Sequence, residues 1–260
     1  MDYALITGAS GGIGLELAGI MASKGHPLIL VARRTELLQA LKQQLEADHS
    51  VPVEVISADL SPPGQARAIH AQCRERGFTV SYLVNNAGYG DYGKLQAAKL
   101  DTYTNLLQLN VIALTEMTAL FAGDMQQRGF GRILNLGSLA AFQPCPNFAV
   151  YAASKSYVMN FTEALNYELR GSGVTATALN PGVTETGFVA RAGMQDAANA
   201  RRGLMSAATV AAIGYDAMMR GKLNVVPGWK NLLLSLGSRT MPSRELLVRI
   251  SAAVMRDTAR

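Results

Sequence analysis

Tyr3-Ala4-Leu5-Ile6-Thr7-Gly8-Ala9-Ser10-Gly11-Gly12-Ile13-Gly14 reads as a short apolar run, a glycine-rich turn and the opening of a helical pattern. A strand feeding a helix through such a turn presents free N–H groups and the positive end of the helix dipole to a phosphate. Glycines let the backbone turn tightly and approach a pyrophosphate. The segment is not a Walker loop, because Gly14-Leu15-Glu16 lacks the Gly-Lys-Ser/Thr ending. The reading is a nucleotide-binding βα turn.

Outward from this turn, short apolar runs alternate with longer helical patterns. Strands are expected at 3–7, 27–32, 52–57, 80–84, 131–136, 174–180 and 223–226. Helices are expected at 12–24, 34–48, 62–76, 99–127, 150–170 and 207–220. Such alternation predicts βαβ units. Continuous apolar strands such as Leu28-Ile29-Leu30-Val31 imply cover on both faces. The expected fold is α/β: a Rossmann-type, doubly wound parallel sheet of about seven strands with helices on both faces. Ligands should bind at the carboxyl ends of the strands. A single domain is expected over 1–260, with a core at 1–228 and a helical tail at 229–260.

Composition agrees with one globular unit: 260 residues, 49% hydrophobic and 17% charged. Cys73 and Cys145 form no disulfide framework, and His26, His49 and His70 stand in no ligand spacing, so no metal site is expected. The N-terminal residues lack the pattern of a signal peptide, and no apolar run approaches the roughly 18 residues of a span. A cytoplasmic location is the expectation. The net charge of +5 gathers in residues 223–260, which carry six basic residues against two acidic ones. No nucleic-acid-binding motif accompanies them.

Farther along, Ser138 precedes Tyr151-Ala152-Ala153-Ser154-Lys155. Residues four apart share a helix face, so the pattern sets an ammonium beside a phenol. A phenol with a pKa of about 10 is a weak acid near neutrality. A neighbouring cation is expected to lower that value toward the range of a general acid–base catalyst.

These motifs resemble those of the short-chain dehydrogenase/reductase family, over roughly residues 3–190. In order they are Thr7-Gly8…Gly12-Ile13-Gly14, Asp59-Leu60, Asn85-Asn86-Ala87-Gly88, Asn110, Ser138, Tyr151/Lys155 and Pro181-Gly182. The resemblance implies that Gly8, Ser10, Gly12, Ile13 and Gly14 meet the cofactor phosphates and adenosine ribose. It places Asp59 and Leu60 beside the adenine, and Asn86, Ala87 and Gly88 along the adenosine side. Thr184 and Thr186, after Pro181-Gly182, would meet the nicotinamide carboxamide and the pyrophosphate, although Thr184 stands where the family usually has Val. Asn110, Ser138, Tyr151 and Lys155 look like its catalytic tetrad. Tyr151 would then exchange the proton and Ser138 would bind the carbonyl oxygen. Lys155 would hold the nicotinamide ribose and tune Tyr151, while Asn110 would hold a water leading to Lys155.

Strand two ends Val31-Ala32-Arg33-Arg34 without the carboxylate that would accept an NAD ribose hydroxyl. An arginine fork suits a 2′-phosphate, so NADP(H) is expected, with Arg33 as the reader and Arg34 as a side chain that could equally face solvent. The function implied is an NADP(H)-dependent oxidoreductase acting on a small carbonyl or secondary alcohol. A non-catalytic NADP-binding scaffold is the alternative.

Ala140, Phe142, Cys145, Phe148, Tyr89, Tyr92 and Phe188 are candidate pocket walls. Arg191, Arg201 and Arg202 sit on the segment 187–206, which in this family reads as a lid. The tail around Val225-Val226-Pro227-Gly228-Trp229-Lys230 resembles a bacterial subgroup of poorly defined substrate. From Trp229 onward, amphipathic helices are expected, with Leu232, Leu233, Leu236, Leu246, Leu247, Ile250 and Val254 forming apolar stripes. A homo-oligomer interface is the first role for these stripes, membrane contact the second and a cap over the active site the third.

Overall fold

The structure is a computed structural model that describes residues 1–194 and 204–255. Seven parallel strands form the central sheet: β1 (Asp2–Thr7), β2 (Leu28–Ala32), β3 (Val53–Ser57), β4 (Thr79–Asn85), β5 (Gly131–Leu136), β6 (Val174–Leu179) and β9 (Asn224–Val225). Their order is β3-β2-β1-β4-β5-β6-β9, and every pairing is parallel. The connection therefore reverses direction between β1 and β4, which opens a crevice at their carboxyl ends.

The sheet is covered on both sides. Leu28 and Leu30 face α1 (Gly12–Ser23), α2 (Thr35–His49) and α8 (Ala207–Met219). Ile29 and Val31 face the opposite layer, built from α3 (Gln65–Glu75), α5 (Leu114–Arg128) and the end of α6 (Ala149–Glu168). Alternate side chains on one strand thus enter two cores, which is why the strand reads as continuously apolar.

Three features depart from the sequence expectation. The helix expected at 99–127 is α4 (Leu100–Leu107), a π-helical stretch (Gln108–Ala113) and then α5. A two-stranded parallel pair, β7 (Thr184–Glu185) with β8 (Met205–Ser206), was not expected; two residues are too few to carry a periodic signal. The run Leu100–Arg128 is also long and apolar enough to cross a membrane by length and composition, contrary to the expectation that none approaches that length. Its apolarity has another use here, since Met117, Phe121 and Met125 fill the core beneath the sheet.

The tail forms α9 (Trp229–Thr240) and α10 (Arg244–Val254), the latter capped by the Ser243 hydroxyl accepting from Leu246 N–H. Of the expected apolar stripes only Leu247 is buried; Leu232, Leu233, Leu236, Leu246, Ile250 and Val254 remain exposed in the single chain. Serines take the inner side of α9 instead: Ser235 and Ser238 are buried, and Ser238 donates to the Gln143 side chain. Arg239 lies over the Phe142 ring and beside Glu163. Arg256, Asp257 and Arg260 fall outside the described residues.

The ends of β1 and β4 are hooked together. The Thr7 hydroxyl accepts from Asn86 N–H and Ala87 N–H, each at 3.0 Å, and donates to the Val84 carbonyl. The Asn86 amide returns two hydrogen bonds, to the carbonyls of Thr7 (2.9 Å) and Gly8 (3.2 Å). This packing leaves no space beside Gly14. A Cβ there would lie 2.5 Å from the Gly8 carbonyl oxygen and closer still to the Asn86 amide. Gly14→Ala is therefore expected to break the hook at a cost of about 1–3 kcal/mol. Calorimetry should show a fall in Tm of at least about 2–4 °C, whereas Gly19→Ala, with open space around its Cβ, should not lower it.

Candidate active site

A cleft of about 450 Å³ runs across the carboxyl ends of the strands. One end is bounded by the glycine loop and the ends of β2 and β3. Gly8, Ser10, Gly12 and Ile13 line it, as do Arg33, Asp59 and Leu60. Gly8 and Gly12 have φ of +67° and +58°, a backbone region costly for other residues. No side chain caps the first turn of α1, so its N–H groups are free for a phosphate. These features fit a dinucleotide pyrophosphate.

Gly14, expected among the phosphate contacts, does not line the cleft; it is a packing glycine under the Asn86 hook. Asn86, Ala87 and Gly88 border the middle of the cleft, with the Asn86 amide committed to the glycine loop. The two arginines after β2 are held differently. Arg34 donates to the Ser10 hydroxyl at 3.1 Å and to its carbonyl at 3.3 Å. Arg33 lies 3.8 Å from the Asp59 carboxylate, both side chains being largely exposed. Arg34, read from the sequence as possibly solvent-facing, is thus on the cleft wall with Arg33.

At the other end the expected tetrad comes together. Ser138 leaves β5 in extended backbone and caps the 3₁₀ turn Leu139–Phe142, its hydroxyl accepting from Ala140 N–H. Asn180 fixes it from behind, accepting from Ser138 N–H at 3.0 Å. Tyr151 and Ser138 line the cleft together, and the nearby Ser138 side chain favours the ionised phenol. Lys155, one turn along α6, donates to the Leu136 carbonyl at 2.6 Å, with its ammonium 5.7 Å from the Tyr151 ring centre. Asn110 sits behind the cleft wall on the π-helical stretch. It donates to Ser154 Oγ and the Tyr89 carbonyl and accepts from Tyr89 N–H. The Cβ absent from Gly88 would stand 3.0 Å from Asn110 Oδ1 and 3.6 Å from Lys155 Nζ, so this glycine lets the two side chains approach. A π turn commonly marks a functional position, but neither composition nor period announces one.

The electrostatics correct one expectation. Burial pushes Tyr151 up to about 12, opposed by the nearby Ser138 side chain. Burial brings Lys155 down to about 8. Lys155 therefore loses its proton well before Tyr151 would ionise, and the expected lowering of the phenol by the ammonium is absent. Desolvation dominates both groups.

A buried polar chain behind these residues escaped the sequence reading. Asn85 donates to Thr118 and to Asn135, and Asn135 donates to Thr162, all between 2.9 and 3.0 Å. A second set runs from Asn180 through Asn224 to Glu163. The signal was an asparagine near the end of successive strands, at 85, 135 and 180.

Pro181, Gly182, Thr184 and Thr186 also line the cleft. Thr184 donates to the Gly182 carbonyl, while Thr186 accepts from Phe188 N–H and packs against Gly12. Of the candidate pocket walls, Ala140, Cys145, Phe148, Tyr89 and Phe188 are on the cleft. Phe142 lies instead beneath α9, and the Tyr92 hydroxyl donates to the Met255 carbonyl. Arg191, Met194 and Met255 join the wall; of these, the sequence had offered only Arg191. Arg201 and Arg202 are outside the described residues.

Residues 2–197 match the sequence profile of the short chain dehydrogenase family. A sulfoacetaldehyde reductase of Chromohalobacter salexigens is 37% identical, covering 76% of this chain and 79% of the relative. The fold superimposes on a short-chain dehydrogenase from Sphingobium yanoikuyae in complex with NADPH. That match has a TM-score of 0.82 at 34% identity and covers 88% of each chain. A short chain dehydrogenase/reductase from Burkholderia phymatum in complex with NAD gives a TM-score of 0.82 at 26% identity, covering 90% of this chain and 92% of the other.

The buried lysine predicts a pH-dependent cost. Its pKa is about 8 in the fold against 10.5 ordinarily, so the charged form is penalised below pH 8. The penalty fades between pH 8 and 10.5 and is gone above. Removing the charge should stabilise the cofactor-free protein at pH 7 by up to ~3 kcal/mol, less the bond to Leu136. Thermal unfolding of Lys155→Met should show a higher Tm than wild type at pH 7, with the gap closing as pH rises toward 10.5.

Proposed function

The chain belongs to the short-chain dehydrogenase/reductase family, whose members act on alcohols and carbonyls with NAD(P), and we propose that this one is an NADP(H)-dependent reductase of a small carbonyl compound. The observation that carries the reading is the gathering of Ser138, Tyr151 and Lys155 at one end of a cleft whose other end is a glycine loop flanked by two arginines.

When bound, the nicotinamide supplies the hydride. The chain supplies everything else. Tyr151, neutral throughout the physiological range because burial raises its pKa to about 12, carries the proton that the substrate oxygen needs. The Ser138 hydroxyl, anchored through Asn180, steadies the developing negative charge on that oxygen. Lys155, with a pKa of about 8, is mostly protonated at neutral pH and holds positive charge beneath the same centre. It is assigned to the nicotinamide ribose. Asn110 and Ser154 give it a polar back wall through which a water could restore the proton to Tyr151.

The choice of NADP rests on Arg33 and Arg34 and on the absence of a carboxylate at the end of β2. Arg34 is oriented over the glycine loop by Ser10. Arg33 is offered toward the same rim, where Asp59 offsets part of its charge. The NADPH-bound relative supports this reading, and the NAD-bound one makes the test necessary.

Two measurements test the proposal. Tyr151→Phe should lower kcat for NADPH-dependent aldehyde reduction by about 10²–10⁴-fold, with NADPH affinity by fluorescence titration nearly unchanged. A kcat above a tenth of wild type would remove Tyr151 as the acid. Separately, Arg33→Ala and Arg34→Ala should each weaken NADPH binding by roughly ten- to hundred-fold, the worth of a charge-assisted contact, and leave NADH almost untouched. Equal weakening of both cofactors would make the arginines structural.

A further inference from the structure

The end of helix α10 reaches the substrate side of the cleft. Its buried residues are Leu247 and Ser251, with Met255 just beyond its last turn. They are spaced by four, a single inward stripe. Met255 packs in one apolar cluster with Cys145, Phe148, Tyr151 and Met194 and itself lines the cleft. Tyr92 clasps this arrangement. Its hydroxyl donates to the Met255 carbonyl, and its N–H donates to the Ala192 carbonyl at 2.9 Å. One residue thereby ties the tail to the segment after β7. The outer side of α10 keeps Leu246, Ile250 and Val254 exposed, so its attachment is one-sided.

Phe148 stacks on Tyr151 at 4.3 Å between ring centres, and Phe188 lies 5.4 Å from the same ring. The side chains packed around the Tyr151 ring are therefore aromatic and thioether, and the charged member of this wall, Arg191, is exposed. From this geometry we infer that Met255 and helix α10 form a closing wall of the substrate pocket, and that the pocket takes ketones or aldehydes with an extended apolar substituent lying against Phe148, Phe188, Met194 and Met255. The inference rests on the carbonyl reduction proposed above for its chemistry, but the wall itself can be tested without turnover. Thioether side chains adapt to varied apolar shapes, so Met255 sets the room available rather than the reaction.

Cys145 is the reporter. It is buried in the same cluster, and burial raises its thiol pKa, so it should alkylate slowly. The chain has one other cysteine, Cys73, buried in the opposite core. In a Cys73→Ser background, Tyr92→Phe and Met255→Ala should each speed N-ethylmaleimide labelling of Cys145 by at least about five-fold, through more frequent local opening. Adding 4-phenyl-2-butanone should slow it. In a Cys145→Ser background the same changes should leave Cys73 labelling unaltered. Kinetically, Met255→Trp should reduce kcat/KM for 4-phenyl-2-butanone relative to butanone by about ten-fold or more, with NADPH affinity retained. Unchanged Cys145 labelling, a parallel rise at Cys73 or a constant ratio between the two ketones would each overturn the inference. Failure of wild type to reduce either ketone would count against the reductase reading alone, because labelling and its slowing by the ketone still decide the wall.

Discussion

Everything at this site depends on the contact between the ends of β1 and β4. Parallel neighbours in a doubly wound sheet part company at their carboxyl ends, because the connections leave in opposite directions. Here Thr7 and Asn86 bridge that parting with five hydrogen bonds among one hydroxyl, one amide and the nearby backbone. The bridge fixes the glycine loop on one side and the Asn86-Ala87-Gly88 turn on the other. It leaves no volume for a side chain at Gly8 or Gly14. A buried backbone group left unpaired costs about 1–3 kcal/mol, so a loop built from several such groups holds its shape only while all are satisfied.

The same economy governs the reacting end. Asn85, Asn135 and Asn180 stand near the ends of three adjacent strands, buried and partnered. A side-chain amide both donates and accepts, so one residue type can bind sideways to its neighbours and upward to the loop above. Asn180 accepts from Ser138 N–H, and a Cβ on Gly137 would collide with that asparagine. The position of Ser138 is thus set by groups behind the cleft.

Lys155 shows what the site costs the fold. The ammonium donates to the Leu136 carbonyl, and burial brings its pKa down to about 8. A pure stability argument would replace it with an apolar residue. Its place in a well-packed helix, one turn from a phenol that burial keeps protonated, fits the role proposed for it at the nicotinamide ribose. Sites that must act are commonly less stable than they could be.

The sequence by itself determined the fold class, because alternating apolar runs and helical periods record which faces are buried. It also located the glycine loop and set Tyr151 one turn from Lys155, because a short βα turn and an i, i+4 pair are local geometries, whereas Ser138 was added to them by the family resemblance. Only the tertiary structure decided the rest. Gly14 is a packing glycine, since its obstacle is Asn86, 72 positions away in the chain. Tyr151 is raised rather than lowered, because burial depends on neighbours from four separate segments. Arg34 is turned onto Ser10 and Arg33 toward Asp59, although in sequence they are one adjacent pair. Met255 completes a pocket begun at Cys145. Spacing reports what a residue's own helix or strand does with it; desolvation and closure arise where distant segments meet, and no local pattern encodes that meeting.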